Sequence, residues 1–160
     1  MSSTTTPTPG AVSYGIMRSE CLDLIRSEPV GRICVLEHGF PVAFPVNYKL
    51  DDEGDKLRIV MRTAPETAIA RHRGSASLEV DRIALDAGRA WSVIMRGQLR
   101  PLLGAPGSVD PDPLLKTGRS CWMTLDIEAV SGRRFVVRRD AGEFAVEWQV
   151  EPASRRHPAR

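Results

Sequence analysis

The residues in this chain best suited to chemistry are Arg62, Thr63, Thr67 and Ala68, in the run MRTAPETAIARHR. They fall where a strand-like stretch gives way to a short helical one. A helix start presents unpaired backbone N–H groups and a partial positive charge. An arginine and a hydroxyl beside such a start are residue types that seat a phosphate. The N–H groups of Glu66, Thr67 and Ala68 would complete the seat, with Arg71 and Arg73 able to reach back. A second reading fits the same residues. Thr63-x-x-Glu66 is a capping-box pattern that satisfies a helix terminus without any ligand, and Glu66 puts a negative charge where a phosphate would rest. Arg71 and Arg73 read equally well as a solvated basic face.

Other candidates are more scattered. Asn47 and Tyr48 follow Pro45-Val46 and could hydrogen-bond a planar ring or simply end a strand. Trp91, next to Ser92, and Trp122 open their strands, where aromatics pack a core or an interface. Arg96 and Gln98 read as solvent-facing. Nothing resembles a Ser–His–Asp set, a P-loop or paired catalytic carboxylates. An enzyme with this sequence would take its difficult chemistry from an organic cofactor. Cys21, Cys34 and Cys121 form no CxxC pair, which argues against a disulfide framework or a zinc site. Cys34 and Cys121 read as buried thiols in apolar runs. His38, His72 and His157 make no ligand cluster, so no metal is expected. His72 alone could serve as a haem ligand, although a lone histidine on a charged helix is more often solvent-facing.

With 160 residues the chain fits one domain. A chain of this size buries roughly 70 % of its unfolded surface, enough for a core without staples. Lys+Arg total 22 and Asp+Glu 20, giving a net charge of +2. So small an excess, with no basic stripe carrying aromatics, argues against nucleic acid as a partner. Lysine occurs only at Lys49, Lys56 and Lys116; the preference for arginine reads first as compositional. The opening MSSTTTPTPG lacks the features of a signal peptide. No apolar run approaches the ~20 residues that span a bilayer. The expectation is a cytoplasmic protein without membrane contact.

The elements that must position these residues follow from pattern. Residues 1–13 read as a disordered Ser/Thr/Pro-rich tail, 14–150 as a single domain and 151–160 as a basic tail. A helix begins at a Ser19 cap and ends near Ser27, ahead of Pro29. Strands are expected at 32–37 and 42–50, the second bulged or locally unpaired at Pro45. After a turn at 51–55, strand 56–62 places Leu57, Ile59 and Met61 on one face and Arg58, Val60 and Arg62 on the other. A helix opens at Pro65 and runs to His72, with Gly74 as its stop. Strand 77–83, a turn at Ala87-Gly88 and the strand AWSVIMRGQLRPL follow. In that strand Trp91, Val93, Met95 and Leu99 alternate with Ser92, Ile94, Arg96 and Gln98. A loop spans 104–113, with a helical turn at 114–116. Strands 122–130 and 134–138 are separated by a turn at Ser131-Gly132; in the first, Met123, Leu125, Ile127 and Ala129 share a face. A last strand or arm carries Trp148 and Val150. The pattern is mainly β with a few short helices (α+β). It favours a six-stranded antiparallel barrel over a doubly wound sheet, because the strand–helix–strand unit does not recur.

Glu20-Cys21-x-x-Leu24, Val30-Gly31-Arg32, Pro45-Val46-Asn47-Tyr48, Arg62-Thr63-Ala64, Glu79-Val80-Asp81, Trp91-Ser92-Val93 with Arg96-Gly97, and Gly132-Arg133-Arg134-Phe135 occur in that order. Over Ser19 to Phe135 the chain thereby resembles the pyridoxamine 5′-phosphate oxidase-like flavin-binding split barrels, especially the actinobacterial branch related to nitroimidazole-resistance proteins. The resemblance implies a homodimer of split barrels with FMN at the subunit interface. In it the Pro-Val-Asn-Tyr strand lies beside the flavin and Arg62 and Thr63 hold the phosphate. Trp91 and Ser92 approach from the other subunit. Where FMN-binding members carry a lysine, this chain has Ala68. Losing such a charge-assisted contact costs about 1.5–3 kcal/mol, with Arg71 as the substitute. The implied activity is a flavin-dependent oxidation or reduction of a small organic substrate. The alternative is a non-catalytic dimer that carries or senses a flavin or F420, and haem binding is a lesser one. Pyridoxamine-phosphate oxidation itself lacks a counterpart of that enzyme's C-terminal substrate motif around Trp148.

Overall fold

A computed structural model describes residues 12–52, 56–84, 86–104, 110–111 and 120–136. Its elements are β1 (Val12–Gly15), α1 (Arg18–Ser27), β2 (Val30–Glu37), β3 (Phe40–Asp51), β4 (Arg58–Thr63), α2 (Ala68–Arg71), β5 (Gly74–Ala84), β6 (Arg89–Pro101) and β7 (Cys121–Val136). The sheet runs β1-β7-β4-β3-β2-β5-β6, and a further β7–β6 ladder joins its ends. Strands β2 to β7 thus close into a six-stranded antiparallel barrel, and β1 lies against β7 beyond the end of the β4 ladder. This is the split-barrel architecture read from the sequence.

Alternation builds the interior. Leu78 and Val80 on β5, Val93, Met95 and Leu99 on β6, and Met123 and Leu125 on β7 are almost fully buried, with outward neighbours that are polar apart from Ile94 and Trp122. Helix α1 packs Cys21 and Ile25 against that core. Among the described residues no helix is long and apolar enough to cross a membrane.

Several expectations are corrected in detail. Residues 12 and 13, assigned to the tail, belong to β1. Helix α1 starts from Met17, without a side-chain cap, so Ser19 lies inside it. Ser131-Gly132 is no turn: both residues pair with β6, at Ile94 and Val93, inside one continuous β7. A Cβ on Gly132 would lie 2.6 Å from the Cys21 Sγ, so the glycine is there for close packing. The β6–β7 register shifts between Arg96 and Gly97, which leaves Glu128 as the extra residue of a bulge. The inward positions change phase there, and Val130 packs on the core where Ala129 was expected. Gly97 permits the bulge, since a Cβ would come within 1.8 Å of the Asp126 carbonyl oxygen. Val60 is buried although it faces away from the interior, as does its cross-strand partner Thr124. Cys34 and Cys121 are half-buried; the core thiol is Cys21.

At Pro45 the locally unpaired alternative holds. The β2–β3 ladder passes through it without a shift, but β4 pairs β3 only from Tyr48 onward. A missing N–H costs nothing on an edge with no partner. The expected tail at 1–11, the helical turn at 114–116, the final strand or arm and the basic tail lie outside the described residues.

Candidate functional site

The separation of β3 from β4 before Tyr48 opens the site. Past the end of the β4 ladder the chain turns through Pro65 into α2, leaving a cleft of about 410 Å³ against the free edge of β3. Phe44, Pro45 and Val46 form one wall; Thr63, Thr67, Ala68 and Arg71 form another. Glu37 and Glu66 also line it. The volume falls in the range of small-molecule sites.

Strand alternation decides which side chains reach the cleft. Thr63 points inward and is 4 % exposed, so Arg62 before it must point outward. The Arg62 guanidinium stacks 4.8 Å from the centre of the Trp122 ring and lies 3.9 Å from the Asp110 carboxylate. The anticipated Arg62–Thr63 pair is therefore split between two sides of β4.

The helix start also differs from the expectation. Pro65 sits in the turn ahead of α2, and Thr67 is the cap: its Oγ1 accepts from the Ala70 N–H at 3.1 Å. The same hydroxyl donates to the Ala64 carbonyl at 2.9 Å and lies 2.8 Å from the Thr63 Oγ1. A hydroxyl has one proton and two acceptor sites. Thr67 spends its proton on Ala64, so Thr63 is the donor of the pair. The capping box of Thr63 and Glu66 is replaced by this threonine ladder, because the cap spacing is met one turn later by Thr67 and Ala70. The Thr67 N–H is itself bonded to the Ala64 carbonyl at 3.2 Å. Arg71 donates from Nη1 to the Glu66 carbonyl, and its Nη2 lies 3.8 Å from the Glu37 carboxylate. Toward an incoming anion the cleft presents the Arg71 guanidinium and the Thr63 hydroxyl, whose proton rests on Thr67 Oγ1 and would be redirected to the ligand, beside the carboxylates of Glu37 and Glu66.

The remaining candidates stand elsewhere on the chain. Asn47 and Tyr48 line a cleft of about 660 Å³ with Glu28 and Lys49. Asn47 Nδ2 donates to the Pro29 carbonyl at 3.3 Å, and Tyr48 OH donates to the Ile25 carbonyl at 2.7 Å. Burial, and then the Glu28 charge, push the Tyr48 phenol well above its ordinary pKa. Ser92 donates to Glu79 Oε1 at 3.2 Å and lines a cleft of about 440 Å³ with Ile94, Arg133 and Phe135. Trp91 is half-buried against the core. His72 caps the C-terminus of α2, with Nε2 3.0 Å from the Ser75 carbonyl oxygen. One chain therefore gathers Pro45, Val46, Thr63, Thr67, Ala68 and Arg71. It holds Arg62, Asn47, Tyr48, Trp91 and Ser92 apart from them.

Glu37 and Phe44 were not anticipated at this site. Phe44 had a legible signal, since it stands two residues from Val46 on the same face of β3. Glu37 had none, because its place depends on how the β2–β3 hairpin lies beside α2.

The split barrel recurs in solved structures. A conserved protein of Corynebacterium diphtheriae superposes with a TM-score of 0.67 at 29 % identity, covering 78 % of this chain and 98 % of that one. An FAD binding protein of Mycobacterium smegmatis gives 0.61 at 23 %, covering 78 % and 99 %. A protein of Bacteroides thetaiotaomicron described by 5-nitroimidazole antibiotic resistance gives 0.59 at 10 %, covering 86 % and 98 %. No curated protein matches. The family model for pyridoxamine 5′-phosphate oxidase matches residues 17–107, which run from the start of α1 through β6 and include the whole cleft between β3 and α2. With more than half of its length so matched and a barrel closed in the same manner, the chain belongs to the pyridoxamine 5′-phosphate oxidase family.

Proposed function

We propose that this chain forms a cytoplasmic homodimer that binds a flavin nucleotide, FMN in its simplest form, and uses it to oxidise or reduce a small organic substrate. The observation that carries the reading is the cleft between β3 and α2, where the buried Thr63 hydroxyl and the Arg71 guanidinium line a space of about 410 Å³. Its donor set suits a phosphate ester: Thr63 gives the hydroxyl proton and Arg71 the charge, while Thr67 holds α2 in place. Ala68 leaves room where a lysine would stand. Two neighbours whose names describe FAD-binding proteins support a flavin over other phosphorylated ligands.

A homodimer accounts for the dispersal of the other candidates. Ser92 lies on the outer face of β6, which a second copy would bring to the flavin, and Trp91 precedes it on the core side of the same strand. Bound flavin supplies two-electron chemistry. The chain's own residues fix the phosphate end, lay the Pro45–Val46 edge along the ligand and exclude water on the barrel side.

Native mass spectrometry of the freshly isolated full chain, with an FMN titration followed by absorbance, tests this reading. A dimer carrying flavin on each protomer supports it; a chain that takes up no flavin overturns it. Flavin held tightly, yet reduced by neither NAD(P)H nor reduced F420, would make the protein a carrier rather than an enzyme.

A further inference from the structure

The barrel has a second opening, between β2 and β5. Their ladder holds only from Arg32 to Cys34, opposite Glu79 to Ser77. β2 then runs on to Glu37 and β5 reaches back to Gly74, each still paired along its other edge. Beyond the Cys34–Ser77 pair the two strands part, and the gap is a cleft of about 390 Å³. Val35, Leu36, Pro41 and Ala76 give it apolar walls; Ser75, Ser77, Arg96 and Glu128 give it polar ones. An apolar hollow with a few convergent polar groups suits a small molecule.

Strand pairing sets Cys34, Ser77 and Arg96 in one row on the outer face. The bulge adds Glu128. Two residues of β7, Glu128 and Ala129, oppose Arg96, so the extra one brings a carboxylate beside the guanidinium. The two charges do not join. Glu128 Oε1 accepts from Gln98 Nε2 at 3.1 Å, and the same nitrogen lies 3.5 Å from Ser75 Oγ. Arg96 has no hydrogen bond or ion pair among the described residues, and neither has the Ser77 hydroxyl. Arg32, Arg58, Arg82, Arg100 and Arg134, by contrast, each meet a carboxylate.

We infer that this cleft is a binding site for an apolar α-amino acid. A cation and an anion that stand side by side without pairing match the two ends of a zwitterion. Arg96 and Ser77 take the carboxylate, which the guanidinium fork fits in bidentate fashion. Glu128 takes the ammonium through Oε2, since Gln98 occupies Oε1. The apolar side chain of the ligand lies against Pro41 and Leu36, the latter 62 % exposed, and covering them favours binding. The cleft runs from the Arg96 row toward Gln98 and Ser75, away from Ile94 and Ile83 on the same face. A second copy seated on those two isoleucines need not cover it. The cleft shares no lining residue with the one between β3 and α2, and flavin is not needed to fill it.

The test is calorimetric titration of the full-length protein with L-leucine, with leucinamide, which lacks the carboxylate, and with isocaproate, which lacks the amine. Leucine should bind, and each truncated analogue about tenfold more weakly, the scale of one charge-assisted contact. Arg96→Gln should erase the preference over leucinamide and keep that over isocaproate. Glu128→Gln should do the reverse, while its amide oxygen still serves Gln98. Bound leucine should also slow iodoacetamide alkylation of Cys34 and leave that of Cys121 unchanged, which places the ligand in this cleft. No heat with millimolar leucine, isocaproate binding as tightly as leucine, or Cys34 unprotected by saturating leucine each overturns the inference. Arg96 and Glu128 are exposed, so both variants should fold. If either does not, the three ligands and Cys34 protection on the unaltered protein decide alone.

Discussion

Thr63 and Thr67 are chemically alike, yet the hydrogen-bond ladder gives them different work. Thr67 is committed to α2 through Ala64 and Ala70; Thr63 holds the proton that can be redirected to a ligand. Thr67→Ala should therefore lower stability by about 1 kcal/mol in denaturant unfolding, the cost of a lost N-cap. Thr63→Val should leave stability nearly unchanged and weaken FMN binding about tenfold by titration. Equal effects on affinity from both would deny the division of labour. Tyr48 gives a pH signature. Its phenol is raised in the folded state by burial, so the folded protein keeps the proton after the unfolded chain has lost it. The protection is complete below the unfolded value of about 10 and is lost as pH rises above it. Unfolding midpoints should fall above pH ~10 and Tyr48→Phe should flatten that fall. At this scale the sequence disclosed residue types but not their partners. Arg62 and Thr63 are adjacent in the chain, and alternation alone sends them to opposite sides of β4; their burial follows only once the ring of strands is known.

Between elements, the bulge at Gly97 and Glu128 resets the phase of β7. Simple alternation therefore places Met123 and Leu125 correctly and fails at Ala129 and Val130. Gly132 misled for a related reason: a glycine in a strand-like run usually signals a turn, whereas here it makes room for the Cys21 thiol of α1. Such contacts between elements distant in sequence leave no local periodicity. The β4–β7 pairing also buries Thr124 completely, with its Oγ1 lacking a partner among the described residues. A buried hydroxyl without a bond costs roughly 1–3 kcal/mol. Thr124→Val keeps the branched shape and should raise stability by about 1 kcal/mol in the same unfolding assay. A destabilised variant would show that the hydroxyl is satisfied.

For the whole molecule, ring closure was legible because the strand–helix–strand unit occurs once and every other connection suits antiparallel neighbours. Subunit arrangement was not legible, since an outward residue looks the same whether water or a second copy covers it. The proposed dimer makes the outer face of β5 and β6 the relevant surface. Ile83 is 64 % exposed there and Ile94, beside Ser92, is 41 % exposed. Ile94→Asp should yield monomers by native mass spectrometry and reduce flavin retention with them, because a charge cannot be buried unpaired in an apolar contact. A dimer that survives this change would place the interface on another face.

One strand also governs how the molecule can be made. β7 pairs with β1, β4 and β6, and among the described residues it is the last of the barrel strands. While a ribosome is still extruding residues 121–136, β4 and β6 both present open edges, and the ring cannot seal. The nascent protein must therefore wait for β7 with template edges bare, a period in which neighbouring copies on one message can zip together instead of each closing on itself.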